Sequence, residues 1–369
     1  MAADFSSLPG HITEKIFVNL SCIKSTLTCT SVCKSWYALI KSPQFIEFHL
    51  SNPNNNKREL SLCSYSEDHP RFSVQYNDCG TLRTYHDIKF PRNIERVSII
   101  GSINGIICFK FTTKFDVRPR IICLWNPSIR KFKDLPKPKF YEKDAGYGFW
   151  FDSKANDYKV VKINPTKTSK VEVYCLSTNS WNLITTRGPY LGMYDGDLIV
   201  HVNGTLYWLW GHLTWKFISF DINTGKFKEN VIWLEEKGKS RFVLLTSEAH
   251  SHSLTDLFVL RYECIPCGKY VTRDVRVFDG DLNQLYTIEF EGSETGASLI
   301  GVRNNSSELL FQRNKHPQIL VCNVEDLKFK DFCSSSLRCI SWMRPFVETL
   351  VLLNDGDSDY WTGDATAPC

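Results

Sequence analysis

His250, His252, Cys264 and Cys267 form an H-x-H…C-x-x-C pattern of zinc-ligand types. The TDLFVLRY run between the pairs reads as an extended strand. At about 3.3 Å per residue it holds them roughly 20 Å or more apart. That is about ten times a zinc–ligand bond, so CIPCGKY is read as a hairpin loop and no metal is expected. Asp355, Asp357 and Asp359 imitate the opening of a calcium loop, but Tyr360 stands at the glycine position and Thr366 at that of the bidentate glutamate. NDGDSDYWTGDATAPC is read instead as an acidic, disordered tail over 354–369. No P-loop, dinucleotide-binding glycine fingerprint, G-x-S-x-G or H-E-x-x-H occurs. No catalytic residue and no cofactor is therefore expected.

What the residue types do offer is recognition. Between 113 and 143 nine basic residues face three acids: Lys114, Arg118, Arg120, Arg130, Lys131, Lys133, Lys137, Lys139 and Lys143. Such a face can steer an acidic protein partner, or simply be a solvated loop. The loop RGPYLGMYDGD with Tyr190 and Tyr194, and the WLWGHLTW run ending at Trp215, place aromatics where a target protein could anchor.

The frame for those loops is a repeat. Turns begin at Asn126 (NPSIRKF), Cys175 (CLSTNSW), Asp221 (DINTGKF), Asp279 (DGDLNQL) and Asn323 (NVEDLKF), spaced 49, 46, 58 and 44 residues apart. Each turn follows a strand-like run and ends on Phe132, Trp181, Phe227, Leu285 or Phe329. Asn-Gly at 104 and 203 supplies the positive φ of hairpin turns. A period near fifty with four strands per unit predicts a kelch-like β-propeller of about six blades over 59–353. SLCSYSEDHPRFSVQ reads as a degenerate first copy, and FVETLVLLN as the ring-closing strand. The long third spacing, which ends the fourth unit, is assigned to the CIPCGKY loop. The kelch Gly-Gly pair is missing, and an open β-sandwich is the competing fold.

Ahead of SNPNNNKR, a linker at 51–58, residues 1–50 are helical. LPGHITEKIFVNL carries Ile12, Ile16, Phe17 and Leu20 on one stripe. SVCKSWYALI carries Val32, Cys33, Trp36, Leu39 and Ile40 on another, and Pro43 stops that helix. Some forty residues cannot enclose so many apolar side chains. Each left in water forgoes roughly 1.5–3 kcal/mol, so the surplus should bind another polypeptide or dock on the large domain.

Composition bounds the class. The chain has 369 residues with a net charge of +4 from 44 basic and 40 acidic side chains, too balanced for a nucleic-acid binder. No apolar run is long enough to span a membrane. The first residues lack a signal-peptide pattern, so the fourteen cysteines read as reduced thiols in cytosol or nucleus.

The spacing L-P-x(6)-I-F-x-N-L, then V-C-K-S-W-x-x-L-I-x-S-P-x-F-I-x-x-H-L, resembles the F-box over residues 8 to 50. LWNPSIRKFKDLP, GFWFDSKANDYKVVKI, VEVYCLSTNSWNLI and HVNGTLYWL resemble the F-box-associated domain of plant F-box proteins, from about 100 to 335. The resemblance implies an α+β multidomain chain, a small helical F-box followed by an all-β propeller. It implies a Skp-type adapter as partner, a cullin beyond it, and an unidentified target protein. Carried over by position, the adapter-facing residues are Leu8, Pro9, Ile12, Ile16, Phe17, Leu20, Leu27, Val32, Cys33, Trp36, Leu39 and Ile40. His11, Ser21 and Thr26 depart from the family pattern, Thr26 from a usual leucine at a buried contact. The implied role is a non-catalytic substrate receptor of a ubiquitin ligase. The alternatives are a cullin-independent interaction protein, whose helices dock on its own propeller, and a propeller hydrolase.

Overall fold

The computed structural model describes the chain outside residues 1–8, 21–22, 53–59, 65–71, 79–80, 89–93, 114–120, 141–144, 164–169, 187–198, 203, 212–214, 231–239, 247–256, 265–269, 279–281, 290–296, 304–307, 314–317, 324–325, 327, 335–339, 341 and 352–369. Four helices open it: α1 (Gly10–Val18), α2 (Ile23–Cys29), α3 (Lys34–Ile40) and α4 (Pro43–Ser51).

Among the described residues twenty-four strands follow. They are β1–β3 (Leu60–Ser64, Phe72–Asp78, Thr81–Ile88), β4–β7 (Ile94–Ile103, Ile106–Thr113, Ile121–Asn126, Lys131–Asp134), β8–β11 (Gly146–Asp152, Asp157–Ile163, Lys170–Cys175, Ser180–Thr185), β12–β15 (Val200–Val202, Thr205–Gly211, Trp215–Asp221, Lys226–Asn230), β16–β19 (Ser240–Thr246, Leu257–Cys264, Tyr270–Phe278, Gln284–Glu289), β20–β23 (Ala297–Arg303, Glu308–Arg313, Ile319–Asn323, Phe329–Ser334) and β24 (Trp342–Phe346).

The strands form five hydrogen-bonded sheets, four of four strands and one of eight. The eight-stranded sheet joins β20–β23 to β3-β2-β1-β24 through a parallel pairing of only two residues, Cys333 with Thr81 and Ser334 with Leu82. The sheet count is thus five against the expected six or so, because this bridge fuses two four-stranded units. Each repeated turn at Asn126, Cys175, Asp221 and Asn323 ends the third strand of its unit and leads into the fourth. Residues 279–281 of the Asp279 turn lie outside the described residues, and its position too falls between the third strand of its unit, β18, and the fourth, β19.

The turns form where predicted for local reasons. Asn104 and Gly105 have φ of 50° and 75°, the left-handed pair that a two-residue hairpin needs. Asp152 and Asp221 each accept backbone N–H groups two and three residues on (Lys154 and Ala155; Asn223 and Thr224), which fixes the hairpin tips. The long third spacing has a different source from the one expected. β17 and β18 are separated only by residues 265–269, whereas β16 and β17 are separated by 247–256, where β12 and β13 need just 203–204.

Inner strands such as β9, β10, β21 and β22 are buried on both faces, so they read as near-continuous apolar runs, while β7 and β11 are partly exposed. In β5, Ile107, Phe109 and Phe111 pack towards β2, where Phe72 meets Trp125 edge-on at 5.9 Å. Ile106 and Cys108, of the other parity, pack towards β8 with Tyr147 and Phe149. Trp150, Val161 and Val171 meet Trp208 and Phe220 at the next boundary. Phe217 then meets Phe278 at 5.4 Å. β18 approaches β20, and Ile300 and Leu310 pack with Cys63 and Met343 to complete the circuit. Every neighbouring pair is in contact, which makes this a closed ring and not an open sandwich.

Closure comes from β24, which pairs antiparallel with β1 from Leu60↔Phe346 to Ser64↔Trp342. The predicted closing segment, FVETLVLLN, is displaced by a few residues: only its Phe346 is in the strand. Val347 to Val351 leave the ring and have another role, described below.

Two histidines, one buried and one half-buried, tie the packing to pH. His49 on α4 is 3% exposed, and burial pushes its imidazole down from 6.5 to about 4. His201 on β12 is stacked on Trp150 at 5.3 Å, accepts from the Gly204 N–H, and is likewise held at about 4 by burial, with Asp152 opposing. The unfolded imidazoles take up protons near 6.5 and the folded ones resist until about 4, so stability falls as pH drops through that window. For His49 alone the loss at pH 5 is about 2 kcal/mol. Urea unfolding at pH 7 and pH 5 should show this drop, and His49→Leu should reduce it.

Candidate partner interface on the helical unit

The four helices pack around a small shared core. Pro9 sits at the cap of α1, its carbonyl accepting from the Ile12 and Thr13 N–H groups. Ser42 caps α4 through its hydroxyl, which accepts from the Phe45 N–H at 3.2 Å, and Pro43 occupies the first turn. Pro43 therefore does not stop α3 but opens α4, with two residues between the helices. Phe17, Val18, Ile23, Ile40 and Phe45 form the core. Trp36 packs edge-on to Phe17 at 4.8 Å and Phe45 at 6.5 Å from it. Asn52 closes the unit, its side-chain amide donating to the Val18 carbonyl at 3.0 Å.

That core divides the residues carried over from the family pattern. Phe17 and Ile40, 3% and 0% exposed, lie in the interior of the helical unit. A helix with apolar residues at 16 and 17 must turn one inward, and α1 turns Phe17. Leu20, Leu27, Trp36 and Leu39 are half-buried against the same core, and Ile12 is half-buried on α1. Pro9 and Cys33 are exposed, Ile16 is 43% exposed and Val32 61%. Leu8 lies outside the described residues. Val32 and Cys33 are not helical: Cys33 is the extended cap of α3, with φ −156° and ψ 164°. A turn thus projects Val32 into solvent where the periodicity put it on a helix.

Two exposed aromatics belong to neither predicted stripe, Tyr37 at 47% and Phe48 at 45%. Helical spacing could not single them out, since they lie off both apolar faces. Lys41 stands over the Tyr37 ring at 4.6 Å. Lys15, Lys24 and Lys34 are exposed around the apolar residues, and Glu47 is the exposed acid of α4. The Cys33 thiol is held below its ordinary value by the Ser35 hydroxyl, 3.1 Å away. Thr26 is fully buried, and its hydroxyl is among the buried polar atoms with no hydrogen-bond partner. Its cost therefore falls on the stability of the helical unit.

On the propeller, Tyr190 and Tyr194 lie outside the described residues, and Trp215 opens β14 opposite Gly211. Of the zinc-like set, Cys264 ends β17, which is an extended strand as expected; His250, His252 and Cys267 lie outside the described residues. So do Asp355, Asp357 and Asp359. In the basic stretch Arg130, Lys137 and Lys139 are exposed and Lys131 and Lys133 half-buried; Lys114, Arg118, Arg120 and Lys143 are outside the described residues. Among the described residues no helix is long and apolar enough to cross a membrane.

Comparison with known proteins agrees with this architecture. A family model for an F-box associated beta propeller domain matches residues 32–251, and an F-box-like model matches 5–47. An F-box protein of Arabidopsis thaliana is 24% identical over 271 residues, 70% of this chain and 67% of the relative. An F-box/kelch-repeat protein of the same plant is 26% identical over 60% of this chain and 65% of its own length. F-box only protein 15, also from Arabidopsis thaliana, is 25% identical over 61% of this chain and 58% of the relative. The chain spans about two thirds or less of these curated relatives. With the propeller family model covering more than half of its residues and the F-box-like match lying over α1–α4, the chain belongs to the plant F-box proteins that carry an F-box-associated β-propeller.

Proposed function

We propose that the chain is the substrate-recognition subunit of a Skp–cullin–F-box ubiquitin ligase, working in cytosol or nucleus. The observation that carries this reading is a helical unit whose core is already filled, in part by Leu350 and Ile129, and which still leaves Ile16 and Val32 in solvent along with exposed Pro9 and Cys33. Apolar side chains left outside a finished core favour a protein partner. The exposed lysines around them suit an adapter with an acidic rim, which would speed encounter more than it tightens binding.

In this role the chain breaks and makes no bonds. The helices hold the adapter, and through it a cullin, while loops of the propeller hold a target protein. Tethering then raises the local concentration of target lysines near activated ubiquitin. Tyr190, Tyr194 and Trp215 remain the proposed target anchors.

The test is capture of a purified Skp-type adapter by the full chain and by Ile16→Asp/Val32→Asp. Both positions are solvent-facing, so the variant should keep its helicity. A ten- to hundredfold weaker affinity is expected, about 1.4–2.7 kcal/mol. Equal affinity in the variant would remove the interface.

The cullin-independent reading draws on one observation: Leu350 and Ile129, from outside the helices, pack into the helical core. Docking of that kind uses the inward face of the unit and leaves Ile16 and Val32 open, so it does not compete with an adapter.

A further inference from the structure

Residues 347–351 follow the ring-closing strand and contact both parts of the chain. Leu350 is 0% exposed and sits in the helical core with Phe17, Ile40 and Phe45. The next side chain, Val351, packs against the opposite cluster, between the β4–β7 and β8–β11 sheets. Successive side chains of one short segment thus enter two different cores.

The backbone between them is anchored. Asn126, itself fully buried, donates both amide hydrogens, to the Thr349 carbonyl at 2.8 Å and the Val351 carbonyl at 2.7 Å. Its side-chain oxygen accepts from the Ser128 N–H at 2.9 Å, so every polar position of that amide is used. The Ser128 hydroxyl accepts in turn from the Thr349 N–H at 3.3 Å. Val347 lies over the β4–β5 turn, its carbonyl against Gly105. Ile129, from the same β6–β7 hairpin that holds the segment, reaches the helical core beside Leu350.

We infer that residues 347–351 are an orienting strap, which locks the helical unit to the propeller so that the two turn as one body. Partners held on the helices and on the propeller loops then sit at a set separation. The coupling stands whether or not an adapter binds, because every contact in it is internal.

The full chain, with Leu350→Ala and Asn126→Ala made separately, tests this by hydrogen exchange and small-angle X-ray scattering. Leu350→Ala should speed exchange in α1 and α4 by about tenfold or more, with β8–β11 unchanged. Asn126→Ala leaves every helical side chain in place; it should broaden the scattering distance distribution, as hinged bodies do. Scattering identical to the parent in both variants would overturn the inference, even if the helices exchanged faster. Thr186→Ala, which removes a hydrogen bond to the Gly225 carbonyl, is the remote control.

Discussion

Glu172→Ala is expected to lower the unfolding free energy by about 3–5 kcal/mol, the cost of leaving a buried charge without its partner. Lys162 and Glu172 have side chains only 2% and 0% exposed and lie 3.3 Å apart across β9 and β10. The other carboxylate oxygen accepts from the Lys139 N–H at 2.7 Å, and the Lys162 ammonium also donates to the Phe140 carbonyl. Trp181 donates to the Pro136 carbonyl at 2.6 Å. The pair therefore clamps the 136–140 crossing between two sheets as well as satisfying itself. Urea unfolding measures the loss. The double variant Lys162→Met/Glu172→Leu should recover most of it, since an apolar pair carries no desolvation cost. A loss below about 1 kcal/mol in Glu172→Ala would mean that water reaches the pair.

Gly105→Ala should cost about 3 kcal/mol or more, through two effects that add. At φ +75° any side chain is strained, at about 1–3 kcal/mol. The added methyl would also collide with the Val347 carbonyl oxygen and come within 2.9 Å of Thr349 Cγ2. Gly225 is the matched comparison, with φ +65° and its nearest neighbour, Ile184 Cγ2, at an ordinary 3.6 Å. Gly225→Ala therefore carries the backbone strain alone. Thermal unfolding of the two variants side by side separates the effects. Equal losses would mean that residues 347–349 give way at no cost.

The propeller was legible because its turns are local chemistry. Asp221 binds the backbone just ahead of it, and Asn104–Gly105 take the left-handed pair, wherever the rest of the chain goes. Strand closure is not local, and there the pattern misled. WMRPF contains Arg344 and Pro345 and looks a poor strand beside FVETLVLLN, yet WMRPF closes the ring while Val347, Leu350 and Val351 pack elsewhere. Apolar content says that a segment is buried; it does not say against what.

The helical surface was readable in outline for the same reason. Periodicity marked α1 and α3 as amphipathic but could not tell Phe17, which completes the internal core, from Ile16, which stays outside. Nor could it see that Cys33 takes an extended backbone and moves Val32 off the helix. Leu350 could not be placed there at all, because its partners lie some three hundred residues earlier in the chain.

Pairing of β24 with β1 has a consequence for the order of assembly. Leu60 to Ser64 has its inner neighbour only once residues 342–346 exist and have travelled around the whole ring. Contacts of such long range form slowly. Until then the hydrogen-bonding edge of the earliest strand stays bare, a template for another copy of the chain. Molecules shortened before Trp342 should therefore clump during synthesis, so the interval before the final strand arrives is when this protein most needs a chaperone.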